Sequence, residues 1–510
     1  MSYFLGIDLG TTGARAIVVD GADGRVVAGA TSEYPLDAPR PLWAEQNPED
    51  WWEGAVKAVR GALQQARQEI GPAFEVASIG LSGQMHGVVL LDENGAVTGP
   101  SLIWADGRTQ AQCDYITETV GAERLIELTA NPALVGFSAP KLLWIRQYRP
   151  EQWSRARKFL LPKDFIRYRL TGEYASEVSD ASGTLLFDVA NRRWSAEMLR
   201  LLELDPDLLP AVYESQEISG RVHAQAADEL GLAAGTPVVG GGGDQAAGAV
   251  GNGVVRPGLV SSTIGSSGVV FAYAEAPARD KGGRVHTFCH AVPGAWHVMG
   301  VTQGAGLSFR WFRDGVAGPL EIEAAQASGK DIYAVLTETA ATAPAGSEGL
   351  IFLPYLMGER TPILDPQARG VWFGLTAAHH RAHLTRSVLE GVSYSLKDSL
   401  EILLEMGVSV AEIRASGGGG KSPLWRQIQA DTFNREVVTV NASEGPAYGA
   451  ALLAGVGAGF WPSVAAACEA TIKVTTSTQP DPQAAEVYAR YYPIYNELYA
   501  RLKTLYPKLG

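Results

Sequence analysis

The 510-residue chain is long enough for two large domains or three ordinary ones, each burying a sizeable core. A formal charge of −13 disfavours nonspecific attraction to nucleic acid or an anionic membrane while leaving room for a local basic pocket, and 46% hydrophobic with 19% charged residues excludes a mainly disordered chain. Cys113, Cys289 and Cys468 form no CxxC pair, which leaves no disulfide framework and no zinc ribbon. The N-terminus MSYFLGIDLG has no basic leader, and AALLAGVGAGFW (450–461) is too short and glycine-rich to span a bilayer, so a cytoplasmic protein is expected. The unusual number is 58 glycines, roughly 11% against a typical ~7%.

In chain order, YFLGIDLG, GARAIVVDG and GRVVAGATSEYPL read as three strands joined by glycine turns, an antiparallel meander. Asn47 and Pro48 open an amphipathic helix over about 48–70, and VASIGLS follows as a short apolar strand, which predicts a mixed α/β sheet. The pattern from about 110 to 230 is mostly helical. TPVVGGGGDQAAGAVGNG (236–253) is an apolar strand running into four glycines, an aspartate and a small-residue helix. GLVSSTIGSSGVVFAYAE (258–275) then repeats the strand, Gly-hydroxyl-hydroxyl-Gly turn and strand of residues 6–19. Two such hairpins, one opening each half, predict two related domains, 1–250 and 251–510. A further strand meets four glycines in IRASGGGGKSPLWRQIQAD (413–431). Tyr488, Tyr491, Tyr492, Tyr495 and Tyr499 lie at helical spacing on a terminal packing face, where Pro493 is placed to kink or restart the helix.

In DLGTTGAR (8–15), Gly10 and Gly13 let backbone N–H groups approach an anion, and Thr11 and Thr12 add hydroxyl donors. Asp8, just before the turn, suits the magnesium that accompanies a phosphate. An ordinary hairpin turn explains the loop equally well taken alone, and its echo at Gly265, Ser266, Ser267 and Gly268 favours phosphate. The GGGGKS run fails the Walker A template, because Ala415 stands where the first glycine is required. What survives is bare backbone at a helix N-terminus, where adenine or ribose can lie flat, or a structural glycine turn. No dinucleotide fingerprint is present either. Asp244, flanked by glycines and alanines at a strand end, is placed to accept a proton from an attacking hydroxyl, to cap the helix that follows, or both. Gln84, Met85 and His86, with Trp104, Asp106 and Arg108, follow strand-like runs and suit a polyhydroxylated ligand on one rim. The competing readings are a satisfied structural histidine at His86 and a surface loop pair between Asp106 and Arg108.

GIDLGTTG, LSGQMHG, WADGR, GGGDQAAGAVG, IGSSG, FLPYLMGERTP (352–362), FGLT (373–376) and SGGGGKSPLWRQIQAD, in this order, resemble the FGGY carbohydrate kinases of the actin-like, ribonuclease-H-like ATPase superfamily. The resemblance runs from residue 3 to about 460. It implies an α/β fold of two ribonuclease-H-like domains, each a mixed sheet flanked by helices, with a cleft between a sugar-binding half (1–250) and a nucleotide-binding half (251–510). PLWAEQNPEDWW (41–52), QMHG (84–87), APKLLW (139–144) and LLPKDF (160–165) resemble the branch that phosphorylates D-xylulose on O5 with ATP and Mg²⁺. Glycerol kinases typically carry an Arg-Glu element in place of QMHG.

The roles implied by the resemblance are as follows. Asp244 is the general base and Asp8 positions Mg–ATP. Met85 and His86 contact the sugar, Asp244 and Gln245 reach its distal hydroxyls, and Asp106 is a weaker addition. Thr11, Thr12, Gly265 and Ser266 face phosphates, and Gly418, Gly419 and Ser422 the adenosine end. Serine in IGSSG replaces a commoner threonine, and Gln245 stands where many members have asparagine. An aspartate with an ordinary pKa near ~3.9 is a weak base for an alcohol, so late proton acceptance is expected. A homodimer is implied by the resemblance alone. Two readings stay open beside the pentulose one: a kinase for D-ribulose, L-fuculose, L-rhamnulose or gluconate, and a nonenzymatic ATP-gated module of the same superfold.

Overall fold

A computed structural model describes residues 2–442 and 444–509. The meander forms as expected. Strand β1 (Tyr3–Leu9) pairs antiparallel with β2 (Gly13–Asp20), which pairs antiparallel with β3 (Val26–Glu33). Helix α1 (Pro48–Ile70) starts where Asn47 Oδ1 accepts the Glu49 N–H at 3.2 Å and Pro48 occupies the first turn. Its Trp51, Ala55, Ala58, Val59, Ala62 and Ala66 recur on one face and bury it against the sheet. Strand β4 (Val76–Gly83) then adds parallel to β1. With β5 (Ile218–Arg221), β6 (Pro237–Val239) and the short β7 (Gly242–Gly243) beside β4, the first sheet has the order β5-β6-β4-β1-β2-β3.

The second half rebuilds this plan. Strand β8 (Gly258–Ile264) pairs antiparallel with β9 (Gly268–Ala274), β9 with β11 (Trp296–Thr302), and β11 with β10 (His286–Cys289). On its other side β8 runs parallel to β12 (Val410–Ser416), followed by β13 (Val437–Val440) and β14 (Val474–Thr478). Both sheets therefore carry an antiparallel meander on one flank and parallel strands on the other.

One expectation holds with an addition, and one changes. The 110–230 region is mostly helical, as in Ser138–Tyr148 and Pro162–Thr171, and also carries short strands such as Lys158–Leu160, Ala175–Glu177 and Ala211–Tyr213. Runs of three residues are too short for a two-residue period to register. Pro493 does not restart its helix, which runs unbroken over Pro482–Leu502. Tyrosines on both sides of it are anchored: Tyr488 Oη donates to Glu390 at 2.8 Å, Tyr492 Oη to Asp398 at 2.7 Å and Tyr499 Oη to Asp365 at 2.9 Å. Packing outweighs the lost backbone bond there. Among the described residues no helix is long and apolar enough to cross a membrane.

Helix α3 (Pro423–Phe433) connects β12 to β13, while helix α2 (Asp244–Gly251) and helix α4 (Gly445–Gly457) join the two halves. Although α4 comes late in the chain, it packs on the first sheet: a Cβ at Gly6 would come 2.0 Å from the Ala447 carbonyl, and one at Gly80 1.9 Å from that of Ala450. Gly449 and Gly251 let α4 and α2 approach equally closely. Glycine makes this backbone contact possible, and Phe4, Ile17, Val250, Leu452 and Leu453 seal it.

Candidate active site

Strand register brings the two aspartates together. Asp8 on β1 lies opposite Ser82 on β4, and Ser82 opposite Gly242 on β7, so three parallel strands end side by side with Asp244 two residues beyond Gly242. Asp244 begins α2, and the cap position belongs to Gly243, with no side-chain cap bond. The capping role expected for Asp244 is therefore corrected: it is the first residue of the helix rather than its cap, and its carboxyl meets the N–H and side chain of Gln245 at the edge of the cleft.

Burial of the Asp8 carboxyl pushes its pKa up to about 6, against the opposing pull of the Ser82 side chain and the Arg15 charge. Asp8 Oδ1 is buried without a hydrogen-bond partner. Asp244 is pushed up to about 7, chiefly by burial and further by the Asp8 charge. A base with a pKa near working pH is far better matched to a hydroxyl proton than the ordinary carboxylate expected from sequence.

The backbone leading to Asp244 is held by groups that sequence reasoning missed. Ser179 Oγ accepts the Gly243 N–H at 3.1 Å and donates to Glu177 Oε1 at 2.8 Å. Glu177 also accepts the N–H groups of Ser179 and Asp180 and the Ser215 hydroxyl. Behind it lies a fully buried ion cluster in which Lys163 Nζ reaches Asp164 at 2.7 Å, Asp180 at 3.2 Å and Glu177 at 3.4 Å. The charges of these three carboxylates keep Lys163 protonated despite its burial. Arg167 of the same cluster donates to the Gly240 carbonyl.

Met85 fits between two glycines: a Cβ at Gly243 would come 2.8 Å from Met85 Cγ, and one at Gly183 2.9 Å from Met85 Cε. His86 adopts φ +70° and donates Nδ1–H to the Gly183 carbonyl at 2.6 Å, which leaves Nε2 as an acceptor. Burial and the Lys141 charge push its pKa down to about 3, so the ring is neutral. Asp106 is fully buried and committed: its Oδ2 accepts the Ala44 N–H at 2.7 Å and the carboxylate clamps Arg108. The pair is an internal brace and not a surface loop pair, and Asp106 acts on the rim only through the loop it holds.

The first turn is braced as well. Gly10 N–H closes on the Gly13 carbonyl at 3.0 Å, Trp104 Nε1 donates to Thr11 Oγ1 at 2.9 Å, and Gln46 donates to the Thr11 carbonyl at 2.8 Å while accepting from Gln84 at 3.0 Å. The Thr12 carbonyl accepts the Tyr34 N–H at 3.2 Å. In the second turn Gly306 N–H donates to the Gly265 carbonyl at 2.9 Å and Leu307 N–H to that of Ser266 at 3.0 Å.

Two cavities open beside α2 and the second turn, and neither is lined by the first turn, Met85 or His86. One of about 570 Å³ is lined by Asp244, Gln245, Thr263, Gly418, Lys421 and Arg426. The other, about 610 Å³, is lined by Gly265, Ser266, Tyr333, Gly418, Gly419 and Ser422. Gly418 and Lys421 border both, so the two adjoin. Ser422 caps the helix Pro423–Phe433 by accepting the Trp425 N–H at 3.3 Å. Lys421 and Arg426 supply cations that motif reading passed over once the Walker A match failed.

Residues 3–251 match the N-terminal domain model, and residues 260–458 the C-terminal domain model, of the FGGY family of carbohydrate kinases. The chain is 39% identical over 506 residues to the xylulose kinase of Escherichia coli (strain K12), covering 98% of this chain and 99% of that protein. It is 37% identical over 505 residues to the xylulose kinase of Bacillus subtilis (strain 168), covering 99% and 98%. The solved structure of xylulose kinase from Rhodospirillum rubrum superposes with a TM-score of 0.89 at 31% identity, covering 99% of both chains.

Proposed function

Because the chain belongs to the FGGY family of carbohydrate kinases, we propose that it transfers the γ-phosphoryl group of ATP to O5 of D-xylulose, giving D-xylulose 5-phosphate and ADP. The observation that carries this reading is the pair of strand-end carboxylates, Asp8 and Asp244, the second pushed up to about 7 beside two adjoining cavities of nucleotide size. In this reading residues 1–250 hold the sugar and 251–510 the nucleotide. A cytoplasmic location and a homodimer are carried over with the kinship.

Asp244 orients the O5 hydroxyl and takes its proton as the O5–phosphorus bond forms and the bond to the ADP oxygen breaks. Met85 covers a carbon face of the sugar, and neutral His86 offers Nε2 to a hydroxyl. Thr11, Thr12, Gly265 and Ser266 meet the phosphates, with Lys421 and Arg426 neutralising charge. Gly418, Gly419 and Ser422 leave a bare surface for adenosine.

Mg²⁺ fits the donor set. Asp8 Oδ1 is buried without a partner and Asp244 is its near neighbour. One or two carboxylates suit a magnesium that keeps its waters and shares them with substrate phosphates. Bound there, the ion would neutralise phosphate charge, with Asp8 as its protein ligand.

A coupled ADP-release assay across D-xylulose, D-ribulose, L-fuculose, L-rhamnulose, gluconate and glycerol tests the reading. D-Xylulose is expected to give the highest kcat/KM. A higher value for another sugar replaces the acceptor, and sugar-independent ADP release removes the kinase reading in favour of an ATP-gated module.

A further inference from the structure

The segment 352–362 belongs to the second half of the chain, yet its Arg360 points at the sugar side of the first. The residues around it are pinned. The Glu359 carboxylate accepts from the Thr302 hydroxyl at 2.5 Å, from Gln303 N–H at 2.8 Å and from the Arg360 N–H at 2.7 Å. Thr361 donates its N–H to the Val301 carbonyl at 2.9 Å and its hydroxyl to that of Arg284 at 2.8 Å. The backbone that presents Arg360 is thus rigid, and the neighbouring carboxylate is already engaged.

The Arg360 guanidinium itself is partly buried and makes no hydrogen bond or ion pair with any described residue. Its Nη2 lies 3.5 Å from where a side chain at Gly136 would begin. Next to Gly136 is Phe137, whose ring meets His86 edge-on at 4.8 Å. The Trp104 carbonyl oxygen lies 3.4 Å from the same point at Gly136 without bonding the guanidinium. His86 Nδ1 is bound to the Gly183 carbonyl, His286 Nδ1 to Asn131 Oδ1 at 3.0 Å, and Lys141, whose pKa burial pulls down to about 7, donates Nζ–H to the Gly136, Phe137 and His86 carbonyls. The adjoining Glu359 charge acts on the guanidinium without a hydrogen bond, and its nitrogens reach solvent, so the fork is free to exchange water for the oxygen lone pairs of a ligand.

We propose that Arg360 reaches across from the nucleotide half and donates to oxygens at the carbonyl end of the ketopentose, making it a specificity-determining contact at the end remote from O5. This rests on the sugar-kinase reading above. The order of groups supports it: Asp244 holds the reacting hydroxyl, Met85 packs on Gly243 beside it, His86 follows, and Arg360 stands beyond His86 next to Gly136. The planar fork matches two neighbouring oxygens of an uncharged polyhydroxy ketone. Because the residue comes from the other half of the chain, sugar binding also ties the two halves together.

The test compares wild type with Arg360→Met and Arg360→Lys, using D-xylulose and the pentitol obtained by reducing its carbonyl. Arg360→Met is expected to raise the KM for D-xylulose by about tenfold or more, leave the KM for ATP within about twofold, and erase most of the preference for ketose over pentitol. Arg360→Lys, which keeps the charge but loses the fork, falls between and remains the deciding variant if the methionine protein does not fold. A KM for D-xylulose unchanged in both variants overturns the proposal, as does a KM for ATP that rises in step. If wild type turns over another sugar of the panel, the D-xylulose assignment fails and the same comparison on that sugar decides Arg360; if it turns over none, both fall.

Discussion

The hairpins that open the two halves share a backbone and differ at one decisive position. In each, a strand runs parallel to a neighbour on one side and turns through Gly-hydroxyl-hydroxyl-Gly into an antiparallel partner on the other. Two residues before the first turn stands Asp8, opposite Ser82. Two residues before the second stands Thr263, opposite Ser416, and the two hydroxyls share a hydrogen bond at 2.7 Å. The first site holds a carboxyl whose buried oxygen lacks a partner, whereas the second is neutral and satisfied. A repeated scaffold has thus been specialised: the first half supplies charge near the reacting atoms, and the second supplies hydroxyls, glycines and the cations Lys421 and Arg426 to grip a nucleotide.

Substitutions at matched positions can break or sharpen that contrast. The largest effect is expected from Asp244→Asn, which has no counterpart in the second half: kcat for D-xylulose should fall by about 10³-fold or more with the KM for ATP within about twofold. Next comes the matched pair. Asp8→Asn should lower kcat by roughly 10²-fold or more, while Thr263→Val should cost about tenfold or less and act on the KM for ATP. Equal losses in the two would abolish the distinction. Ser179→Ala removes the acceptor of the Gly243 N–H and should lower kcat by about tenfold while sparing the KM for ATP. Two glycines give the smallest and most local test. A Cβ at Gly449 would come 1.8 Å from the Ala247 carbonyl, so Gly449→Ala should lower stability by about 1–3 kcal/mol in a denaturant melt. At Gly265 the nearest atom would be 3.7 Å away, so Gly265→Ala should leave the melt unchanged and raise the KM for ATP.

The hairpins, α1 and the glycine runs were legible in the sequence because turn residues, a capping pair and apolar periodicity are local signals. So was the kinship, through motifs spread over most of the chain. What was not legible depends on residues far apart in sequence. Asp106 looks like a rim residue until Ala44 and Arg108 are seen to consume its carboxylate. Ser179 and Glu177 carry no motif and act only because the fold sets them beneath Gly243. The raised pKa of Asp244 follows from burial beside Asp8, more than 200 residues earlier, and no spacing rule registers that approach. The glycine excess was half understood: part lies in the ligand loops, and another part, at Gly6, Gly80, Gly251 and Gly449, lets α4 settle onto the first sheet and α2.

The central claim is that the fold makes Asp244 a base by burying it beside Asp8. A carboxyl near 7 in the folded protein, against ~3.9 unfolded, is protonated through the window between, so turnover should rise with pH through about 7 while its contribution to stability declines across the same window. The direct measurement is a carbon-13 carboxyl titration by NMR of the ligand-free protein, with Asp244→Asn to assign the resonance. The account predicts a midpoint for Asp244 near 7 that moves down in Asp8→Asn; a midpoint near 4 in both proteins would contradict it.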